Sequence, residues 1–207
     1  MTEDIIKRPN WDERYRTGDY LFGTEPNDFL VETIKRVPTG ELLCLADGEG
    51  RNGVYLASLG FEVTSIDASA IGIAKAQQLA ERKQVDINTI VADLREFDLG
   101  AARWDCIVSI FFHMPEDMRR DMHARIERAL RPGGHLVLEA YTPRQLEFKT
   151  GGPPVAEMLM TLEDLRSDFP GMEFLYAEEK EREVIEGKGH VGHAAVVQLF
   201  AKKKSAR

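Results

Sequence analysis

From residue 42 onward, short apolar runs alternate with helix-patterned segments, and that alternation leaves few folds open. Leu42-Leu43-Cys44-Leu45-Ala46 is a continuous apolar run, the pattern of a strand buried on both faces. A glycine-rich turn follows, then a short helix around Val54-Tyr55-Leu56-Ala57 that Gly60 ends. Residues 62–67 (EVTSID) form a second strand, and Ser69 caps a helix running to about Lys83 with Ile73, Ala76 and Ala80 on one face. Strands three and four are predicted at 88–93 and 104–111. Pro115 opens a helix carrying Met118, Met122, Ile126 and Ala129, and Arg131-Pro132-Gly133-Gly134 breaks it before strand five at 135–141. Thr161 caps one more helix. Two late runs, 173–177 and 194–201, predict an antiparallel hairpin around a charged stretch holding Gly187, Gly189 and Gly192. Such β-α alternation with short connections makes an open parallel sheet covered by helices.

Ligands on these sheets bind beyond the carboxyl ends of the strands. After strand one, Gly48, Gly50 and Gly53 fit G-x-G-x-x-G, and Asp67 ends strand two 19 positions beyond Gly48. Taken literally this is a dinucleotide fingerprint, with the acid on the ribose. The turn, however, also carries Asp47 and Glu49, which repel a diphosphate. S-adenosylmethionine keeps the ribose but replaces phosphate by a sulfonium and an ammonium, and an acidic turn suits that cation. The rest of the chain narrows the partners. Its 207 residues leave little beyond a five-strand core for a hydride-acceptor domain, and a net charge of −8 argues against nucleic acid. No apolar run approaches the ~18 residues of a membrane span. The opening MTEDIIKRPN has no signal-peptide stretch, so a cytoplasmic location is expected. Lys202-Lys203-Lys204 reads as a frayed, solvated end. Cys44 and Cys106 read as core residues, and the five histidines form no metal-spaced cluster, so no metal is expected.

A series of motifs spans nearly the whole chain: Trp11-Asp12-Glu13-Arg14-Tyr15, Phe22-Gly23-Thr24-Glu25-Pro26, Gly48-Glu49-Gly50-Arg51-Asn52, Asp67, Ala92-Asp93-Leu94 and Arg131-Pro132-Gly133-Gly134. On these the chain resembles the class I S-adenosylmethionine-dependent methyltransferases, and within them the small-molecule branch of the tellurite-resistance and thiopurine methyltransferases. The resemblance implies a Rossmann-like α/β fold: a mostly parallel seven-stranded sheet with a C-terminal antiparallel hairpin and helices on both faces. It implies one domain, with residues 1–40 as a helical lid, 41–141 as the cofactor-binding core and 142–207 as the acceptor side.

The resemblance also implies roles. Ala46, Asp47, Gly48, Gly50 and Asn52 would form the turn under the methionyl part. Asp67 would hold the ribose, with Ala68 and Ser69 beside the adenine. Asp93 would accept from the adenine amino group and Leu94 would line the ring. Ser109 and Ile110, with Phe111, would floor the sulfonium region, and Trp11 and Tyr15 would lid the site. One departure stands out: the family's acid at the end of strand one is replaced here by Cys44 and Ala46, leaving Asp47 as the nearest carboxylate. Asp47 then either contacts the cofactor's ammonium or only caps the following helix.

Candidates for chemistry on a methyl acceptor are few. His113 follows strand four and is either a general base or a satisfied histidine at a helix start. Tyr141 ends strand five, with Glu139 on the same face, and is either catalytic or packing. The irregular segment 142–154, with Arg144 and Lys149, reads as a wall or lid. His190 and His193 are weighted toward turn and surface roles, while His123 and His135 read as structural. The expected activity is methyl transfer from S-adenosylmethionine to a small molecule. An NAD-dependent oxidoreductase and a non-catalytic cofactor-binding protein are the alternatives.

Overall fold

The computed structural model describes residues 10–205; the reading of the opening residues as lacking a leader lies outside them, save Asn10. Two short helices come first, α1 (Trp11–Tyr15) and α2 (Asp28–Ile34), capped by the side chains of Asn10 and Asn27. The core runs β1 (Glu41–Leu45), α3 (Arg51–Ser58), β2 (Glu62–Asp67), α4 (Ala70–Lys83), β3 (Asn88–Val91), β4 (Trp104–Ile110), α5 (Glu116–Ala129) and β5 (Leu130–Tyr141). It closes with α6 (Gln145–Phe148), a 3-10 turn at Ala156–Met158, α7 (Leu162–Asp168), β6 (Met172–Glu186) and β7 (His190–Lys203). The seven strands lie in the order β3-β2-β1-β4-β5-β7-β6. The first five are parallel, and β7 returns antiparallel to both β5 and β6. No helix among the described residues is long and apolar enough to cross a membrane.

Period-2 alternation in the buried strands feeds two cores. Leu43, Leu45, Ile107, Leu136 and Leu138 face α5 and α7, packing on Met122, Ile126, Leu165 and Phe169. Leu42, Cys44, Cys106, Val108 and Val137 face the other way, onto Phe29, Leu30, Ile34 and Leu56 of α2 and α3. Both cysteines are free and buried. Strand order reverses between β1 and β4, so the carboxyl ends of β1, β2, β4 and β5 surround one crevice.

Three boundaries differ from the sequence reading. Arg131-Pro132-Gly133-Gly134 does not separate helix from strand; it is already β5, whose pairing with β4 slips between Trp104 and Cys106. Gly134 lets this bulge close, since a Cβ there would stand 2.9 Å from the Arg131 carbonyl oxygen and 3.1 Å from that of Trp104. The charged stretch of the hairpin is strand as well, making β6 a 15-residue edge. Glu178, Glu179, Lys180, Glu181 and Glu183 are exposed along it, which is how edges resist pairing with other chains, while Arg182 and Glu186 turn inward. Lys203 is no frayed end either: its ammonium donates to the Leu130 carbonyl at 2.7 Å.

Candidate functional site

The turn after β1 is built on left-handed backbone at Ala46 (φ 48°), Gly48 (57°) and Gly50 (85°). Asp67, at the end of β2, lies beneath it. One carboxylate oxygen accepts from Gly48 N at 2.9 Å and the other from Ser69 N at 2.8 Å. Burial raises its pKa, and the amide bonds from Ser69 and Gly48 oppose that rise.

The two acids of the turn point away from its mouth. Glu49 accepts from Leu21 N and from the Lys75 ammonium, both at 2.7 Å. Asp47 turns under α3, accepting from Gly53 N at 3.2 Å and from the Ser65 hydroxyl at 2.7 Å. That is capping geometry, in which an Asn serves as well as an Asp. Burial pushes the Asp47 carboxyl up to about 7, against the Ser65 and Gly53 hydrogen bonds. An unfolded-chain aspartate ionises near 3.9, so the native state holds a proton through this window that the unfolded chain has released. Native stability should therefore fall as pH rises from about 4 to 7 and level off above. Asp47→Asn should flatten that slope and melt higher than the wild type at pH 8. Melting curves at pH 5 and 8 check it; a variant with an unchanged slope would place the ionisation elsewhere.

Helix α1 closes this cup from above. Asp12 accepts from the Ser69 hydroxyl at 2.6 Å and from Ile71 N at 3.2 Å, docking α1 on the start of α4. Tyr15 is 4% exposed and lies over the turn, where a Cβ on Gly48 would stand 2.5 Å from its hydroxyl oxygen. Burial and the charges of Asp67 and Glu49 push its phenol upward. Trp11 stacks on Tyr15 at 5.4 Å. On the far side, Leu94, Ser109 and Ile110 are buried, Ala68 is exposed, and Asp93 is gripped by the Arg95 guanidinium and main-chain amide.

Asn52 sits away from the turn's mouth. Its side-chain oxygen accepts from Asn27 N at 3.0 Å and so fixes the strap between α1 and α2. Next to it is a buried ionic network. Arg51 donates to Glu186 at 2.6 Å, Arg182 donates twice to Glu139 at 2.8 Å, Gln198 donates to Glu139 at 2.8 Å, and Asn27 donates to both carboxylates. The same strap meets the hairpin tip, where Lys188 N and Gly189 N both donate to the Leu21 carbonyl, at 2.8 and 3.0 Å.

This clasp brings a ring cluster over the carboxyl ends of β4 and β5. Phe111, held at φ 53°, lies 4.5 Å from Tyr141, and His190 lies 4.8 Å from Phe111 and 4.5 Å from Phe22. His113 stacks at 5.5 Å on Tyr141, but its Nε2 lone pair accepts from Tyr141 N at 2.9 Å. Burial and the neighbouring His190 push its pKa down to about 3. His113 is therefore a neutral acceptor with its lone pair committed, which removes the basis for reading it as a general base. Burial raises the Tyr141 phenol, and the charges of Glu186 and Glu139 add to the rise.

Sequence reasoning under-weighted His190, saw Phe22 only as part of a motif, and passed over Glu186. The glycines flanking His190 signalled a turn, but only the docked hairpin reveals what the turn covers. His193 stays on the outer face, bridging Glu181 and Glu183, and Arg144 pairs with Glu181. His123 is held by Asp168 at 2.8 Å and His135 stacks on Phe200, both structural settings.

A family model described as a methyltransferase domain matches residues 42–134. A glycine/sarcosine N-methyltransferase of Halorhodospira halochloris is 30% identical over 142 residues, covering 66% of this chain and 49% of that protein. A probable S-adenosyl-L-methionine-dependent methyltransferase, TehB, of Haemophilus influenzae is 26% identical over 113 residues, covering 54% and 39%. This chain thus spans about half the length, or less, of these curated relatives. The crystal structure of TehB from Haemophilus influenzae superposes with a TM-score of 0.70 at 22% identity, over 94% of this chain and 66% of that one. A structure from echinomycin biosynthesis, concerned with conversion of a disulfide bond into a thioacetal group, reaches 0.75 at 20% identity, over 95% and 92%. At these identities the superpositions carry the fold: a Rossmann-like methyltransferase sheet, mostly parallel with antiparallel strands at its C-terminal edge.

Proposed function

We propose, for a chain whose residues 42–134 match a methyltransferase domain model, methyl transfer from S-adenosylmethionine to a small molecule. The acceptor sits among Phe22, Phe111, Tyr141 and His190. The observation that carries the reading is Asp67, whose carboxylate, held by Gly48 N and Ser69 N, lies at the floor of the cup at the end of β2. A pair of ribose hydroxyls would donate to that carboxylate. In this reading the N-terminal segment up to residue 40 is the lid, 41–141 is the cofactor core and 142–207 forms the acceptor side.

Bound S-adenosylmethionine supplies a methyl group on a sulfonium, an electrophile ready for in-line displacement. The chain does the rest. Asp67 holds the ribose. The Gly48–Gly50 turn borders the methionyl end, with Asp47 and Glu49 turned away from it. Asp93 and Leu94 border the adenine, Ser109 and Ile110 floor the sulfonium, and Trp11 and Tyr15 exclude water. Alignment alone gives effective molarities of ~10⁵ M or more. The glycine/sarcosine N-methyltransferase relative favours a small acceptor.

S-adenosylhomocysteine should raise the melting temperature, as any ligand of the native state does, while NAD at the same concentration leaves it unchanged. A shift with NAD and none with S-adenosylhomocysteine would favour the oxidoreductase. S-adenosylhomocysteine formation with a panel of small acceptors separates an enzyme from a binding protein.

A further inference from the structure

We propose that α1 is a hinged lid over the cofactor cup, that residues 16–18 are its hinge, and that Asp12 is the latch whose release lets the cofactor in and out. The proposal rests on the methyl-transfer reading above and narrows its lid to one helix and one controlling carboxylate.

The chain is held very differently on the two sides of the hinge. From Asp19 onward the strap is pinned. Lys75 Nζ donates to the Asp19 carbonyl at 2.8 Å, the Tyr20 hydroxyl to the Lys75 carbonyl at 3.0 Å, and Leu21 N to Glu49 at 2.7 Å. The Leu21 carbonyl also accepts the two amides of the hairpin tip. Residues 16–18, by contrast, are exposed and bond only to near neighbours in the chain. Arg16 pairs with Glu13 at 3.6 Å, the Thr17 hydroxyl donates to the Asp19 carbonyl at 2.8 Å, and a Cβ on Gly18 would meet nothing within 4 Å. A segment with so few contacts absorbs backbone rotation at little cost.

Helix α1 itself has one polar attachment. Among the described residues, Asp12 is the only side chain of α1 that hydrogen-bonds beyond the helix and its caps. Its Oδ1 accepts from the Ser69 hydroxyl at 2.6 Å and from Ile71 N at 3.2 Å. Both donors belong to the start of α4, where the helix dipole favours an anion. The remaining contact is a ring seated on glycine. A Cβ on Gly48 would stand 2.5 Å from the Tyr15 hydroxyl oxygen, and one on Gly72 would stand 3.1 Å from its ring carbons. Two glycines make a seat without interlocking side chains, so breaking the latch leaves only ring contacts to hold the lid.

The latch also touches the cup. Ser69 N donates to Asp67 and the Ser69 hydroxyl donates to Asp12, so one residue joins the lid to the ribose acid. Asp67 is 6% exposed with α1 in place. A ribose reaches it when α1 swings away and is enclosed when Asp12 returns to Ser69. Asp12 touches no reacting atom; it is a positioning residue that acts through α1.

Asp12→Ala separates a latch from a cofactor contact. A latch holds the lid shut whether or not the cofactor is inside. Its loss should therefore raise the association and dissociation rate constants of S-adenosylhomocysteine together, each by about 10-fold, and leave Kd within ~3-fold of the wild type. Stopped-flow fluorescence reads both rates. Asp12→Asn keeps an oxygen that accepts the same two bonds and should restore most of the difference. A rise in dissociation alone would make Asp12 a cofactor contact, and unchanged rates would make α1 a fixed wall; either overturns the proposal. The second arm needs no ligand. Tyr15 is buried, so trypsin cleaves after Arg14 only when α1 lifts, and such cleavage tracks the population of the open form. It should be about 10-fold faster in Asp12→Ala, with cleavage after Arg125, inside α5, unchanged. Equal cleavage after Arg14 in both proteins overturns the latch even if S-adenosylhomocysteine binds. If the wild type does not bind S-adenosylhomocysteine, the methyl-transfer reading fails, and the trypsin arm still decides the latch.

Discussion

Asp67→Ala is expected to weaken S-adenosylhomocysteine binding by about 10²-fold. A charge-assisted hydrogen bond contributes roughly 1.5–3 kcal/mol, and two bonds at the lower figure make about two decades of affinity. The same carboxylate also holds Gly48 N and Ser69 N, so its loss loosens the turn as well as removing the ribose ligand. Asp67→Asn separates the two effects. An amide can keep one main-chain donor but cannot accept on both sides, so it should retain more of the melting temperature than of the affinity. Asp93→Ala should cost less, because that carboxylate already shares its charge with Arg95. Calorimetric titration of the three variants reads the order directly. Wild-type affinity in Asp67→Ala would mean that the cup under Tyr15 holds something other than a ribose.

Asp67 was legible in the sequence because its setting is local. A strand end, a glycine turn and an acid at fixed spacing depend only on two neighbouring β-α units, and the structure joins Asp67 to Gly48 by a single hydrogen bond. His190 was not legible in that way. Its setting depends on Leu21 meeting Gly189 and on Arg51 meeting Glu186, contacts across more than a hundred residues that no periodicity announces. The two histidines beside Phe111 make the same point. His113 follows a strand at the expected edge and read as either a base or a satisfied histidine, and a main-chain amide takes its lone pair. His190 sits among turn glycines and looked like surface, but the hairpin folds it inward.

Charge misled the reading in a second place. The run from Glu178 to Glu183 resembles a solvated loop, yet it is paired strand all the way to Glu186. An edge strand has one partner and one free side, so composition there reports the need to repel other edges more than the need to fill a core. Motifs can also be recognised without their work being visible. Phe22-Gly23-Thr24-Glu25-Pro26 and Gly48-Glu49-Gly50-Arg51-Asn52 were both noticed, Asn27 just beyond the first was not, and Asn52 was taken for a cofactor contact. In the fold Asn27, next after the first motif, donates to Asn52 of the second, and this sets the strap that carries Phe22.

That strap is anchored by Glu139, and the second large effect is expected there. Glu139 is fully buried and accepts from Arg182 twice, from Gln198 and from Asn27. Removing one partner of a buried ion pair leaves the other charge uncompensated, at a cost of about 3–5 kcal/mol. Glu139→Ala should therefore lower the melting temperature by roughly 10 °C in a chain of this size, at about 2–4 °C per kcal/mol. Arg182→Ala should be comparably harmful, because it strands the carboxylate. The double variant should be less destabilised than the sum of the two, since each single change already forfeits the pair. The network also decides the geometry of the site: Asn27 bridges Glu139 and Glu186, and Glu186 is what stands beside His190. Hydrogen exchange should consequently report faster opening of residues 20–27 and 186–190 in Glu139→Ala than in the core strands β1 and β4. If opening were uniform across the sheet, Glu139 would be a core brace, and the coupling of strap to hairpin would have to come from the Leu21 and Asn27–Glu186 contacts.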